Sequence, residues 1–338
     1  MEEFDGSRFQ AALADRFVFD RELGCGGMGV VYLARDVKHG RQVAIKALAG
    51  DERSTGRIDR EIRVTAQLQH PNVLTLLDSG VAAGYSYYVM PYVRGGSLRD
   101  MLNSRKRLSV GEAVRLAVEV GDALQHAHEN GVIHCDIKPE NILMSVGHAV
   151  VADFGISRSR PRNEKPGWLG DVQTSGGTPE YVSPEQASGD ANVDERSDVF
   201  SLGCVLFEML SGEPPFKGLT EQAVIADRFT GKAPRVDRVV RHVPEGIALI
   251  VSKAMAVDPE DRFRCAVSFV KALTSELATG NAVTVKLQRR SASVIGRGAR
   301  RWLGGLMRKA PKAIPIDSGS FDAVRVVSRA NFHVNTVG

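Results

Sequence analysis

His134-Cys135-Asp136-Ile137-Lys138-Pro139-Glu140-Asn141, followed twelve residues after Asn141 by Asp153-Phe154-Gly155, is the stretch on which the reading of this chain turns. Asp136 stands two residues before Lys138 and five before Asn141. In one short run the sequence therefore sets a carboxylate able to accept a proton, an ammonium able to contact phosphate, and two side chains, Asn141 and Asp153, with the hard oxygen atoms that divalent cations prefer.

Upstream, Gly24-Cys25-Gly26-Gly27-Met28-Gly29-Val30-Val31 follows a short strand-like run that ends at Leu23. Glycines let a backbone take turns closed to other residues and come close to phosphate oxygens. Alone, the pattern fits a plain Gly-rich hairpin turn as well as a phosphate-covering loop. Residues 17–23, 30–34, 43–46, 73–77 and 85–89 are short β-branched and aromatic runs between turn residues and predict strands. Residues 113–128 carry Val114, Leu116, Ala117, Val120, Leu124 and Ala127 at helical spacing, and 198–210, 220–229, 246–256 and 266–278 also fit helices. Strands first and helices afterwards predict an α+β chain with two lobes of different class.

Taken together, the Gly-rich run, Val43-Ala44-Ile45-Lys46, the Asp136 stretch and Asp153-Phe154-Gly155 resemble, in order and spacing, a Hanks-type Ser/Thr protein kinase, over about residues 17–275. The compact domain and Ser183-Pro184-Glu185-Gln186 are similar to the bacterial-type catalytic domain. The resemblance implies a small antiparallel β-sheet N-lobe with one helix (17–93), a larger, mainly helical C-lobe (94–278), an extension over 1–16 and a basic tail over 279–338.

It also implies roles. Asp136 would accept or orient the hydroxyl proton, Lys138 would steady the γ-phosphate, and Asn141 and Asp153 would hold Mg²⁺, or Mn²⁺ in its place, with ATP as phosphoryl donor. Thr178, in Gly177-Thr178-Pro179-Glu180-Tyr181, would reach Asp136 and Lys138. Lys46 would contact the α and β phosphates, held by Glu61, which lies nine residues before His70-Pro71-Asn72-Val73. The helix around Glu61 rests on resemblance, because Ile62, Val64, Ala66 and Leu68 alternate as in a strand. Leu23, Gly24, Cys25, Gly26, Gly27, Met28 and Gly29 would cover the nucleotide. Val31, Ala44 and Leu143 would sandwich adenine, Met90 would precede the hinge, and the Tyr92 and Val93 backbone would bind the base, since Pro91 has no N–H to give. Glu185 would pair with Arg262, and Asp198 would brace the catalytic loop.

The chain departs from the family at Cys135, where many members carry an Arg able to pair with a phosphothreonine. Activity is therefore expected to depend less on phosphorylation at Thr174 or Ser175. With Lys46, Asp136, Asn141 and Asp153 all present, an ATP-dependent kinase acting on protein Ser/Thr hydroxyls, itself included, is the leading reading. A pseudokinase scaffold that binds nucleotide is the alternative.

The chain has 338 residues, 43% hydrophobic and 25% charged, and a formal net charge of +4, enough for a full core. Cys25, Cys135, Cys204 and Cys265 form no CxxC pair, which argues against a zinc site or disulfide framework and for a reducing cytoplasm. No apolar run approaches the ~20 residues that span a bilayer, and Met1-Glu2-Glu3 is unlike a secretion signal.

Eleven Lys/Arg against two acids from Val285 to Gly338 give this tail a surplus of nine, leaving residues 1–284 at −5. Between 285 and 312 no acid interrupts the basic residues, and Trp302, Leu303, Leu306 and Met307 lie among them. A solvated or back-folded tail is the plainest reading. An acidic membrane surface, met peripherally, or an acidic protein partner comes next, and nucleic acid ranks below both. The sequence says nothing about oligomeric state.

Overall fold

The computed structural model describes residues 4–26, 29–48, 62, 65–154, 179–190, 192–218, 220–229 and 233–279. Gly27, Met28, Glu61, Thr178, Thr174, Ser175 and the basic tail lie outside the described residues.

Five strands, β1 (Phe17–Gly26), β2 (Gly29–Asp36), β3 (Arg41–Leu48), β4 (Asp78–Ala82) and β5 (Tyr85–Pro91), form one antiparallel sheet in the order β1-β2-β3-β5-β4. Side chains alternate across a strand, so β3 serves two faces. Val43, Ile45 and Ala47 join one buried cluster with Phe17, Tyr32 and Tyr87, while Ala44 and Leu48 join a second. The first cluster is closed by α1 (Gly6–Ala12), whose Phe9 is fully buried among Phe19, Tyr32, Tyr85 and Tyr87. Sequence reading assigned no element to this extension, because seven residues carry too few apolar positions to show a period. Asp5 caps the helix by accepting from the Arg8 N–H at 3.0 Å.

The strand expected over 73–77 is displaced. Ala83 and Gly84, at φ 53° and 89°, make a two-residue turn of the kind that suits strand twist. This turn sets Ala82 opposite Tyr85 and Asp78 opposite Val89, so β4 begins where the predicted strand ends. Val73 instead makes an isolated parallel bridge to Val151, and the Leu74 N–H donates to the Val151 carbonyl at 2.8 Å. Near Glu61, Ile62 and Thr65 are helical and the Ala66 N–H reaches the Ile62 carbonyl at 2.8 Å, as the family resemblance implied.

The second part of the chain is mainly helical: α2 (Leu98–Arg105), α3 (Val110–Glu129), α4 (Pro184–Ala187), α5 (Arg196–Ser211), α6 (Glu221–Phe229), α7 (Val236–Val239), α8 (Glu245–Ala254) and α9 (Ala266–Thr279), with one hairpin, β6 (Ile142–Ser145) and β7 (His148–Val151). Residues 197–210 of α5 are all buried, which makes it the central post of this lobe. α3 packs on α5, α9 and β7 through Val114, Leu116, Ala117, Val120 and Leu124. The lobes meet where the Val151 N–H donates to the Asn72 carbonyl at 2.8 Å, and just past their junction the Met144 N–H donates to the Gly96 carbonyl at 2.9 Å. A Cβ on Gly95 would stand 1.9 Å from the Met144 carbonyl oxygen, so this approach requires glycine.

Candidate active site

Strand register brings Val31, Ala44, Lys46 and Met90, four of the expected nucleotide residues, to one face. Lys46 lies opposite Val31 on β2 and Tyr88 on β5, and Ala44 lies opposite Met90. Ala44, Met90, Leu23, Val31, Val93 and Leu143 fall in a single apolar cluster that also takes in Val150 and Ala152 from the helical lobe. Tyr92 is half-buried just after β5. The Gly-rich run forms the end of β1 and the start of β2, with Gly24 opposite Val31, Cys25 exposed and Gly26 opposite Gly29. Gly29 is required: at φ 136° a Cβ would lie 1.9 Å from the Ala47 carbonyl oxygen.

Lys46 is 8% exposed and its Nζ reaches Asp153 Oδ2 at 2.8 Å, across 107 residues of chain. The other oxygen, Oδ1, accepts from the Tyr88 hydroxyl at 2.6 Å. Burial would raise the Asp153 pKa, but the Lys46 charge and hydrogen bond, with that of Tyr88, outweigh it and hold the carboxyl below its ordinary value. Burial, with the Asp153 charge, pushes the Tyr88 phenol well above its own. Tyr88 was not anticipated as a site residue: its alternation on β5 marks it as facing inward and says nothing of the carboxylate it meets.

In the catalytic stretch, Asp136 Oδ2 accepts from Lys138 Nζ at 2.9 Å and from Asn141 Nδ2 at 3.0 Å. Oδ1 has no hydrogen bond among the described residues. Asn141 Nδ2 also holds the Asp136 carbonyl at 2.8 Å, which turns its amide oxygen away from Asp136. The Asn141 carbonyl accepts from the Ala152 N–H at 2.9 Å, bringing Asn141 beside the residue that precedes Asp153. An ionised carboxylate and an amide oxygen with no hydrogen bond among the described residues fit a hard divalent cation.

This loop is bent against its own preference. Cys135 has φ 62° and Asp153 φ 61°, left-handed values that cost a non-glycine residue about 1–2 kcal/mol each. Three groups hold the first bend. Asp198 of α5 accepts from the Cys135 N–H at 2.8 Å and the His134 N–H at 2.9 Å, and also bonds His128 Nε2 at 2.8 Å. Gln186 Nε2 donates to the Cys135 carbonyl at 2.8 Å. His134 Nδ1 accepts from the Asp136 N–H at 3.2 Å while Nε2 donates to the Ala152 carbonyl at 2.9 Å, so the proton sits on Nε2. Its ring meets Phe154 edge-on at 4.8 Å, and the Thr65 hydroxyl donates to the Phe154 carbonyl at 2.9 Å.

Glu185 meets Arg262 through two bonds of 2.7 Å, and Arg262 also donates to the Ala256, Val257 and Arg196 carbonyls. Ser183 is a buried N-cap. Its hydroxyl accepts from the Gln186 N–H and the Gln186 side chain returns to the Ser183 N–H, a reciprocal capping box. A second network went unforeseen. Arg99 of α2 donates to Glu140 at 2.6 Å, to Glu208 of α5 at 2.6 Å and to the Tyr181 hydroxyl at 2.6 Å, and Tyr181 also bonds Glu208. Burial opposes the Arg99 charge, but Glu208 and Glu140 raise its pKa above the ordinary guanidinium value.

Residues 17–273 match the protein kinase domain family. Serine/threonine-protein kinase PknB of Mycobacterium leprae is 41% identical over 269 residues, covering 75% of this chain and 42% of its own length. The probable serine/threonine-protein kinase PknB of Lactococcus lactis is 34% identical over 276 residues, covering 80% of this chain and 43% of its own. This chain thus spans less than half the length of these curated relatives. The crystal structure of Rad53 1-466 in complex with AMP-PNP superposes with a TM-score of 0.65 at 23% identity, covering 77% of this chain and 65% of that one. Sheet, helical lobe and family match agree, and the chain belongs to the protein kinase domain family, the Hanks-type Ser/Thr kinases of bacteria being its relatives.

Proposed function

We propose that this protein is an ATP-dependent Ser/Thr protein kinase that moves the γ-phosphoryl of Mg-ATP to hydroxyls of protein substrates and of itself. The observation that carries the reading is the arrangement of Asp136. Lys138 and Asn141 both bond Oδ2, while Oδ1 has no hydrogen bond among the described residues and remains to take a hydroxyl proton. Because the transferred group passes through a loose, charge-rich transition state, the residues mainly position and offset charge. Lys138 is the cation for the γ-phosphate, and Lys46 is the cation for the α and β phosphates once it exchanges Asp153 for them. Asn141 and Asp153 are the ligands for Mg²⁺, with Mn²⁺ as a substitute; a bound divalent cation neutralises phosphate charge. The apolar cluster of Leu23, Val31, Ala44, Met90, Val93 and Leu143 receives the base.

Glu61 as the partner of Lys46, Thr178 as the link to Asp136, and Gly27 and Met28 over the phosphates complete the reading from family resemblance. We read the setting as cytoplasmic. No helix among the described residues is long and apolar enough to cross a membrane. The basic segment 285–312 supports peripheral contact with an acidic membrane surface, tested by co-sedimentation with anionic against neutral vesicles.

The deciding assay is transfer of radiolabelled γ-phosphate to a generic Ser/Thr protein by wild type and Asp136→Asn. Transfer by wild type that the variant abolishes supports the proposal. A wild type as inert as the variant, with Mg²⁺ and with Mn²⁺, returns the chain to a nucleotide-binding scaffold.

A further inference from the structure

Arg228, in the last turn of α6, is 0% exposed, and none of its three side-chain nitrogens has a hydrogen-bond partner among the described residues. Arg262 is buried as deeply and donates to a carboxylate and three carbonyls, so the contrast lies in partners and not in depth. Around Arg228 stand the Phe216 ring, 5.6 Å from its guanidinium carbon, and the Cys204 thiol, which burial pushes up to about 12 and so keeps uncharged at neutral pH. Among the described residues two carboxylates act on the Arg228 charge, Glu180 and Asp227. Asp227 is the preceding residue on the same helix and has an interaction of its own. Glu180 lies on the 3-10 turn Pro179–Tyr181, which packs against α6, and its Oε2 is buried and equally without a partner.

A buried guanidinium without hydrogen bonds is among the costliest arrangements a fold can keep. Burial brings the Arg228 pKa down to about 10, which still leaves it charged at neutral pH. An opposite charge with an orphaned oxygen sits at the same helix contact. That turn also carries Tyr181, whose hydroxyl bonds Arg99 and Glu208 and whose carbonyl accepts from the Ser201 hydroxyl at 2.8 Å. The Tyr181 end of the turn is therefore anchored to α5, while Glu180 Oε2 has no hydrogen-bond partner among the described residues.

We infer that Arg228 is a positioning residue for protein substrates: it closes an ion pair with Glu180 when the Pro179–Tyr181 turn receives a peptide, fixing that turn from the α6 side. The inference rests on the kinase reading and adds to it a specific role for α6. Arg228 touches neither nucleotide nor reacting atoms and acts through Glu180.

The test is steady-state kinetics on the full chain, with a generic Ser/Thr peptide and ATP varied separately, for wild type, Arg228→Met, Glu180→Gln and the double variant, each with a thermal melt. Each single change is expected to raise the peptide KM about tenfold, with the ATP KM within about twofold of wild type. The double variant is expected to do no more than either single one, because both remove the same pair. Arg228→Met should melt no lower than wild type, since an apolar side chain of similar length relieves the unpaired charge. An unchanged peptide KM in active variants, multiplied effects in the double variant, or a fall in melting temperature with peptide and ATP KM shifting together would overturn the inference and leave the kinase reading standing. A wild type that transfers no phosphate would remove both.

Discussion

Asp198→Asn is a nearly isosteric change at a residue that touches no substrate, yet it should cripple the site. The carboxylate is fully buried and accepts three hydrogen bonds, Oδ1 from the Cys135 N–H and Oδ2 from the His134 N–H and His128 Nε2. An amide offers one acceptor oxygen, and its NH₂ group must face an N–H donor at whichever position it takes. The cheaper orientation sacrifices Cys135. It loses a hydrogen bond to a charged group, about 1.5–3 kcal/mol, and leaves a buried N–H orphaned, which adds to the loss, so the total is about 3 kcal/mol. For a domain of this size each kcal/mol lowers the melting temperature by about 2–4 °C, which predicts a fall of about 6–12 °C. The loss falls on the residue already strained at φ 62°, so the Asp136 carboxylate next to it should lose its aim. Circular-dichroism melts and steady-state kinetics with ATP and a protein substrate check this, with kcat expected to drop at least tenfold and the ATP KM to change little. As a control, His128→Gln leaves both backbone donors paired and should cost less than half as much. A variant Asp198→Asn that melts within about 2 °C of wild type and turns over normally would refute the reasoning.

Three further outcomes follow from the geometry. Tyr88→Phe removes the 2.6 Å bond that occupies Asp153 Oδ1 and should lower the Mg²⁺ concentration needed for half-maximal activity by roughly tenfold, read by metal titration at fixed ATP. Arg262→Met strands the Glu185 carboxylate and should cost about 3–5 kcal/mol, seen as a large fall in melting temperature, while Arg262→Met/Glu185→Leu should recover much of it. His70 stacks on His126 at 5.3 Å between ring centroids, and burial, then the His126 charge, lowers its pKa below the ordinary 6.5. The unfolded chain therefore takes up this proton first, so the stability present above pH 6.5 is lost as pH falls toward the lower folded value. Melts between about pH 7 and pH 5 should show a slope that His70→Asn flattens; an unchanged slope would assign it to other groups.

The nature and order of the groups proposed for the active site were legible before any fold was known. Lys46, Asp136, Lys138, Asn141 and Asp153 announce themselves because each chemical role needs one residue type, and a loop of fixed shape sets their spacing within the stretch from 134 to 155. Five helices of the second lobe, α3, α5, α6, α8 and α9, were legible in the sequence, whereas α2 (Leu98–Arg105) and the one-turn helices α4 and α7 were not assigned there. The strand expected over 73–77 failed because apolar character shows that residues are buried and leaves open what they pair with. Here the turn at Ala83-Gly84 sets the register, and Val73 and Leu74 go to the other lobe.

Sequence by itself determined the class of fold and suggested the proposed chemistry, since both are written in local order. Tertiary structure alone decided that Tyr88 closes on Asp153, that Gln186 grips the Cys135 carbonyl, that Arg99 ties Glu140 to Glu208, and that α1 closes the back of the sheet. These partners lie from 41 to 109 residues apart in the bonded pairs. No local period or spacing encodes such contacts, because each depends on how two separately folded elements pack and on which buried polar group must then be satisfied.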